Sequence, residues 1–441
     1  MNAETEVQAQ AWSIPTEAYL SPDYARAERD AIWRKVWQVA CREEEIEKPG
    51  DFVTYDILDD SIIVTRQDDG SIKAYHNVCP HRGRKLTEGC GHAKGFKCGF
   101  HGWTWALDGR NLGVTRKSGY GDSLSADDIR LKDVRAETWG GWVFITMDPD
   151  AVPLREYLGE VAPLLDPFEM QNMRYRWRQW LHFPCNWKVA VEAFNEGYHV
   201  IGTHPQLAVY SDKPTWSRSL GIHGNFGALQ REGVGGGTAG AAGAPDMRIG
   251  LATSLNQVWK EVWATTTQTM VDVANKLVDE LPEGTSAMDV QMHFMRRVIE
   301  EDAKNGITWP ALDPKHAAEA GTDVHIFPNT VLIYGPTFAL CYRARPNGYD
   351  PDSCIFEVYT LEKFSKGQEP KPENLYKPEQ TLDHWPVVLL QDFSNMGAVQ
   401  QGMKSMAFGS ARPHPTEEEA VVGFHRALAG YMGTGGPVEV G

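Results

Sequence analysis

Basic side chains are in short supply in this sequence. Lys and Arg number 43 against 59 Asp and Glu, a formal charge of −16 over 441 residues. That balance argues against nucleic acid or an anionic membrane surface as partner. No run approaches the ~18–20 apolar residues of a membrane span. No N-terminal stretch reads as basic then apolar, so no secretory leader is expected. Cysteine is also sparse: seven residues, an odd number, scattered along the chain. Cys41, Cys185, Cys341 and Cys354 have no framework spacing, so disulfides are not expected and a reducing cytoplasm is. Internal repeats are absent. What remains, 42% hydrophobic and 23% charged residues, fits ordinary globular domains, one to three at this length.

One stretch is dense where the rest is sparse. "CPHRGRKLTEGCGHAKGFKCGFHGW" runs from Cys79 to Trp103 with three Cys, three His and five basic side chains. Cys79 and His81 form C-x-H; Cys98 and His101 form C-x2-H. Two thiolates and two imidazoles can hold tetrahedral zinc, or a [2Fe–2S] cluster with two Cys on one iron and two His on the other. A zinc finger usually pairs Cys with Cys and His with His. Here each pair mixes the two, which suits a two-iron cluster gripped from both sides. Gly83, Gly99 and Gly102 permit tight turns that bring N–H groups toward sulfide, and Pro80 stiffens the first. The stretch resembles the Rieske motif. Cys90 and His92 mimic a further pair without a partner and read as loop residues. Arg82, Arg84, Lys85, Lys94 and Lys97 face only Glu88, a local +4 that suits docking of an acidic ferredoxin.

Along the chain, residues 15–40 read as a helix. "DFVTYDI", "SIIVTR" and "SIKAYH" read as strands, with a turn at Asp69-Gly70 and a hairpin at Asp108-Gly109. "WGGWVFITMD" reads as a strand. "LREYLGEVAPLLDPF" reads as helix and "RYRWRQWLHF" as strand. "NWKVAVEAFNEGYHVIGTHPQ" is a helix that breaks near its end. The Gly/Ala-rich 233–245 stretch reads as a flexible loop or a lid. Residues 256–304 read as helical, 323–364 as antiparallel strands, and 385–407 and 416–432 as closing helices. Three segments are expected: an N-terminal helical segment (1–41), a small all-β domain with the Cys/His loops (42–149) and a second domain (150–441).

The broken helix carries Glu196, His199 and His204. Glu196 and His199 are three apart and neighbour each other on a helix. His199 and His204 would diverge by about 140° on a regular helix, so they share a metal only where the helix distorts. Gly202 weakens it there, and Pro205 pushes His204 out of the α region. Two His and one carboxylate with open positions make the facial triad of non-haem Fe(II) oxygenases. Glu196 is one candidate carboxylate. Asp392 is another, set between apolar Leu389 and Met396 where an acid needs a reason to be buried. His76, His92, His182 and His325 read as structural.

With both constellations in view, the whole chain resembles the large (α) subunit of Rieske non-haem iron oxygenases, the aromatic ring-hydroxylating group. The resemblance implies an α+β fold: an N-terminal all-β Rieske [2Fe–2S] domain plus a C-terminal helix-grip (START-like) antiparallel sheet with helices. It implies that the 1–41 segment packs on the catalytic domain. It implies Cys79, His81, Cys98 and His101 on the cluster. In the family, D-x2-H-x4-H supplies two iron histidines and a late helix an Asp; by resemblance His199, His204 and Asp392 bind the mononuclear Fe(II). The motif's leading acid carries electrons between subunits. Here that place is taken by Glu196, bridging His101 of one subunit to His199 of the next. Glu for Asp departs from the common pattern and changes reach. Also implied are O2, a ferredoxin or flavin reductase as electron donor, a small apolar or aromatic substrate and a homotrimer, with a β subunit left open. The first expectation is hydroxylation or dihydroxylation of an aromatic or polycyclic molecule, hence aromatic hydrocarbon catabolism. The rival is O- or N-demethylation. A non-catalytic Rieske carrier with a ligand-binding domain is the alternative class.

Overall fold

The computed structural model describes residues 10–208, 214–228 and 246–440. The 233–245 stretch lies outside them. The chain divides into two compact units: Arg26–Tyr157, and the residues up to Ala25 together with Leu158 onward.

In the first unit, β-branched and aromatic residues along Asp51–Ile57, Asp60–Arg66 and Ile72–His76 form meander strands. They sit in a seven-stranded sheet ordered 38–42, 142–146, 133–139, 72–76, 60–66, 51–57, 90–92. A second sheet of three short strands, 96–97, 104–105 and 111–113, includes the hairpin expected at Asp108-Gly109. Gly109, at φ +79, makes that turn; a Cβ there would lie 2.6 Å from the Tyr75 ring. Ile63, Tyr75, Phe96 and Trp105 pack into one core that includes Cys79 and Cys98.

The N-terminal segment is not the single helix expected over 15–40. Helices Glu17–Leu20 and Pro22–Glu28 are followed by a π turn, Arg29–Trp33, and then the buried strand Gln38–Arg42. That strand pairs with Trp142–Thr146, and the Trp37 indole donates to the Val152 carbonyl at 2.8 Å. These contacts tie residues from Arg26 on, and those up to Tyr157, to the first unit. Divided by compactness, the chain splits within the 1–41 segment, between Ala25 and Arg26, and again between Tyr157 and Leu158.

The second unit is built on an eight-stranded sheet. Its order is 215–220, 223–228, 323–326, 330–334, 338–346, 354–362, 174–183 and 375–376, antiparallel except for the last pair. One face is covered by helices. Ala420 of helix Glu419–Met432 meets Gly224, and Phe424 meets the His325 ring edge-on at 5.1 Å. Helix Val387–Met403 sets Phe393 against Phe183 (5.0 Å) and Phe356 (5.8 Å). Strand register places Phe183, Phe356, Tyr342, Val331, His325 and Asp323 on this inner face. The strand Trp12–Pro15 is held between Ser410–Ala411 and Val438–Glu439. Among the described residues, no helix is long and apolar enough to cross a membrane.

Candidate functional site

Two loops of the first unit repeat one backbone pattern. Cys79 N donates to Arg84 O (2.8 Å) and Gly83 N to Cys79 O (2.9 Å). Cys98 N donates to Trp103 O (2.8 Å) and Gly102 N to Cys98 O (3.0 Å). Gly83 and Gly102 sit at φ +78 and +75, conformations that disfavour side chains. The loops differ in where the imidazole falls, two residues after Cys79 and three after Cys98. They nevertheless bring the His81 and His101 rings to 4.6 Å, edge to face. Trp103 stacks on His81 at 5.0 Å, and the Tyr120 hydroxyl lies 3.4 Å from His81 Nε2.

Four donor atoms are thereby set aside for a ligand. Cys79 and Cys98 are buried thiols. The Nδ1 atoms of His81 and His101 are buried with no hydrogen-bond partner among the described residues. Orphaned buried nitrogens are costly unless something binds them. Burial pushes the Cys98 thiol up, but the N–H groups of Phe100 and His101, the Cys79 thiol and the Arg84 charge together hold it below its usual range. The donor set of two sulfurs and two nitrogens fits a [2Fe–2S] cluster.

In the second unit, Asn186 caps helix Trp187–Glu192, its side chain accepting from Lys188 N. The chain then turns irregularly and re-forms a short helix, Val200–Thr203. His204 leaves it at φ −120, ψ 59, ahead of Pro205. The break defeats the divergence expected on a regular helix. His199, His204 and Asp392 present ligand atoms all within 4.8 Å of one another. Asp392 Oδ1 lies 2.9 Å from His204 Nε2 and 3.8 Å from His199 Nε2.

The backs of both imidazoles are engaged. Gln391 Oε1 accepts from His204 Nδ1 at 2.8 Å and also from Gln206 Nε2. Glu196 Oε1 lies 2.7 Å from His199 Nδ1, and its Oε2 accepts from His199 N. Such contacts fix the tautomer and turn Nε2 toward a metal. Burial alone lowers the affinity of His199 for a proton, yet the Glu196 hydrogen bond and charge outweigh it and raise the pKa. Asp392 thus stands in the triad and Glu196 behind it. Two imidazoles and one carboxylate fit a non-haem iron.

Cys90 and His92 lie on an exposed strand rather than a loop, with His92 Nδ1 3.0 Å from Asp51 Oδ1. His325 is buried with Nε2 3.1 Å from Pro328 O, and His182 packs on Trp180 and Tyr376. Neither they nor His76 enter the ligand group found. The sequence reading missed Gln391 and Tyr120. Gln391 adjoins Asp392, which was its only signal.

Two family models match. Residues 36–120 match the Rieske [2Fe–2S] domain and residues 170–434 the ring hydroxylating alpha subunit (catalytic domain). The chain belongs to the Rieske oxygenase large-subunit family. Its carnitine monooxygenase oxygenase subunit relative, from Acinetobacter pittii, is 32% identical over 45% of this chain and 54% of that one. The large oxygenase component of the naphthalene 1,2-dioxygenase system from Pseudomonas putida is 37% identical over 40% of this chain and 41% of that one. These alignments span about half or less of the curated relatives' length. The crystal structure of the quaternary ammonium Rieske monooxygenase CntA with L-carnitine shares the fold, at TM-score 0.64, 20% identity and 96% coverage of both chains. The Rieske domain brings a [2Fe–2S] cluster, and the catalytic domain of this family a mononuclear iron.

Proposed function

We propose that this chain is the terminal oxygenase of a Rieske monooxygenase system, and that it oxidises an N-methylated, cationic amine. The observation that carries the oxygenase reading is the cluster of His199, His204 and Asp392, the last two buried and His199 partly so, with the backs of both histidines already engaged. A pure electron carrier has no use for it. The amine reading draws on the carnitine monooxygenase relative. It takes the place of aromatic hydrocarbon catabolism as first choice. An arene remains the second reading, favoured by Phe183, Phe356 and Phe393 on the inner face and by the naphthalene relative.

Iron held by the triad supplies O2 activation, and the cluster supplies electrons one at a time. The protein residues do the rest. Cys79, His81, Cys98 and His101 hold the cluster. Gln391 orients His204, and Glu196 orients His199. Glu196 is also the electron bridge from His101 of a neighbouring subunit, which requires a ring-like oligomer. A ferredoxin or flavin reductase is the donor. The net reaction consumes one O2, two electrons and two protons, giving hydroxylated product and water.

The test is O2 consumption by the purified holoenzyme with a reductase, offered N-methyl amines and arenes in parallel. Oxidation of an amine coupled to O2 supports the reading. Oxidation of arenes alone transfers it to the second.

A further inference from the structure

Asp323 stands on the helix-covered face of the eight-stranded sheet. Its row runs Phe226, Asp323, Ile333, Leu340 and Thr360 across five strands. It is 1% exposed, and neither carboxyl oxygen has a hydrogen-bond partner among the described residues. An acid within a strand, buried among apolar neighbours and unpaired, is costly and rare. It is not alone. Asn195, 0% exposed, is unpartnered at both Oδ1 and Nδ2. Its Oδ1 lies over Gly224, on the next row of the same face. The Thr360 hydroxyl is unpartnered as well.

The surroundings say what these groups await. Tyr342 lies on the same face, and burial first, then the charges of Asp392 and Asp323, push its phenol well up. Phe194 stacks face to face on Tyr342 at 3.8 Å and 14°, and on Phe356 at 5.6 Å and 19°. Ile333, beside Asp323 on its row, is only partly buried although helices cover this face. Aromatic faces and a carboxyl suit a cationic head. A neutral arene would leave the carboxyl unpaired.

We propose that Asp323 is a specificity-determining residue that receives the cationic head of the substrate, a quaternary methylammonium group, with Asn195 one row along and the Phe194–Tyr342 wall as its aromatic side. This rests on the amine reading above. Burial first, and the Glu196 charge second, push the Asp323 carboxyl well above the carboxylate range. A permanent cation reverses that preference and restores the carboxylate.

The experiment uses holoenzyme, wild type against Asp323→Asn and Asp323→Glu. The substrates are 4-(trimethylammonio)butanoate and its uncharged-head analogue 5,5-dimethylhexanoate. The expected result is a KM for the ammonium compound raised at least about tenfold in Asp323→Asn, with kcat and the analogue's KM within about twofold. Asp323→Glu keeps the preference for the cation. Equal effects on both compounds, or none, overturn the proposal. So does an Asp323→Asn variant that fails to fold, judged by melting temperature and cluster absorption, because the acid is then structural. Failure of the amine reading looks different: the wild type itself consumes no O2 with the ammonium compound.

Discussion

Single atoms decide how the metal sites are prepared. His204 offers Nε2 because Gln391 occupies its Nδ1. Gln391→Leu should weaken iron retention about 10- to 100-fold while leaving the cluster absorption unchanged, measured by iron content after dialysis against a chelator. The structure brings His81 to His101 and His199 to His204. Cys79, His81, Cys98 and His101, and His199 with His204, were legible as candidate ligands because their spacing is short and their chemistry narrow. Gln391 was not, since nothing local in "LLQDF" says which side chain meets a histidine 187 positions away. Asp323 and Asn195 were equally invisible: their meaning lies in lacking partners, which only packing reveals. Glu362 gives a test at the same scale. Burial pushes its carboxyl up to about 7, Arg176 pulling it down and Asp302 pushing it further up. A raised acid favours the fold when protonated. That stability is complete below about 4.5 and lost as pH rises through 7. Between pH 5 and 8 the unfolding free energy should fall by up to about 3 kcal/mol through this group, and Glu362→Gln should flatten the fall in denaturant titrations.

At the scale of elements, strands with alternating or continuous apolar runs were read well, and the N-terminal segment was not. Periodicity over 15–40 matched a helix, but Pro22 restarts the helix and the sheet claims Gln38–Arg42. Tertiary pairing overrode a local pattern. The broken helix shows the opposite case. Pro205 announced the end at Thr203, but Gly202 sits inside the short helix, and the larger break between Glu192 and Val200 went unread. Helix Glu419–Met432 lies close to the sheet through small residues. A Cβ at Gly423 would sit 2.0 Å from Ser219 Oγ, and one at Gly224 2.7 Å from the Ala420 methyl. Gly224→Val should cost about 1–3 kcal/mol in chemical denaturation by overpacking this contact.

At the scale of the molecule, the family model assigns two iron-bearing domains, and metal content tests both together. Anaerobically purified protein should carry about three iron and two labile sulfide per chain. His199→Ala should lower iron to about two with sulfide unchanged; zinc without sulfide would refute the cluster assignment. The basic residues of the cluster loops remain a docking candidate, although Lys85 is paired with Asp56 at 3.1 Å. If an acidic ferredoxin docks there, its rate of reducing the chain should fall steeply with salt, followed by stopped flow; a flat response would remove the idea.

The strand Trp12–Pro15, held between 410–411 and 438–439, also sets a schedule for synthesis. The first unit draws on one continuous segment and can close once residue 157 has left the ribosome. The second must keep its opening strand waiting until residue 438 emerges, 281 residues later. At ~5–20 residues per second that interval is roughly 14–56 s. Throughout it, an early-folded cluster domain is flanked by an unfinished partner whose apolar sheet face is uncovered. The nascent chain is therefore most in need of a chaperone in the second half of its translation, and cluster loading can precede iron loading.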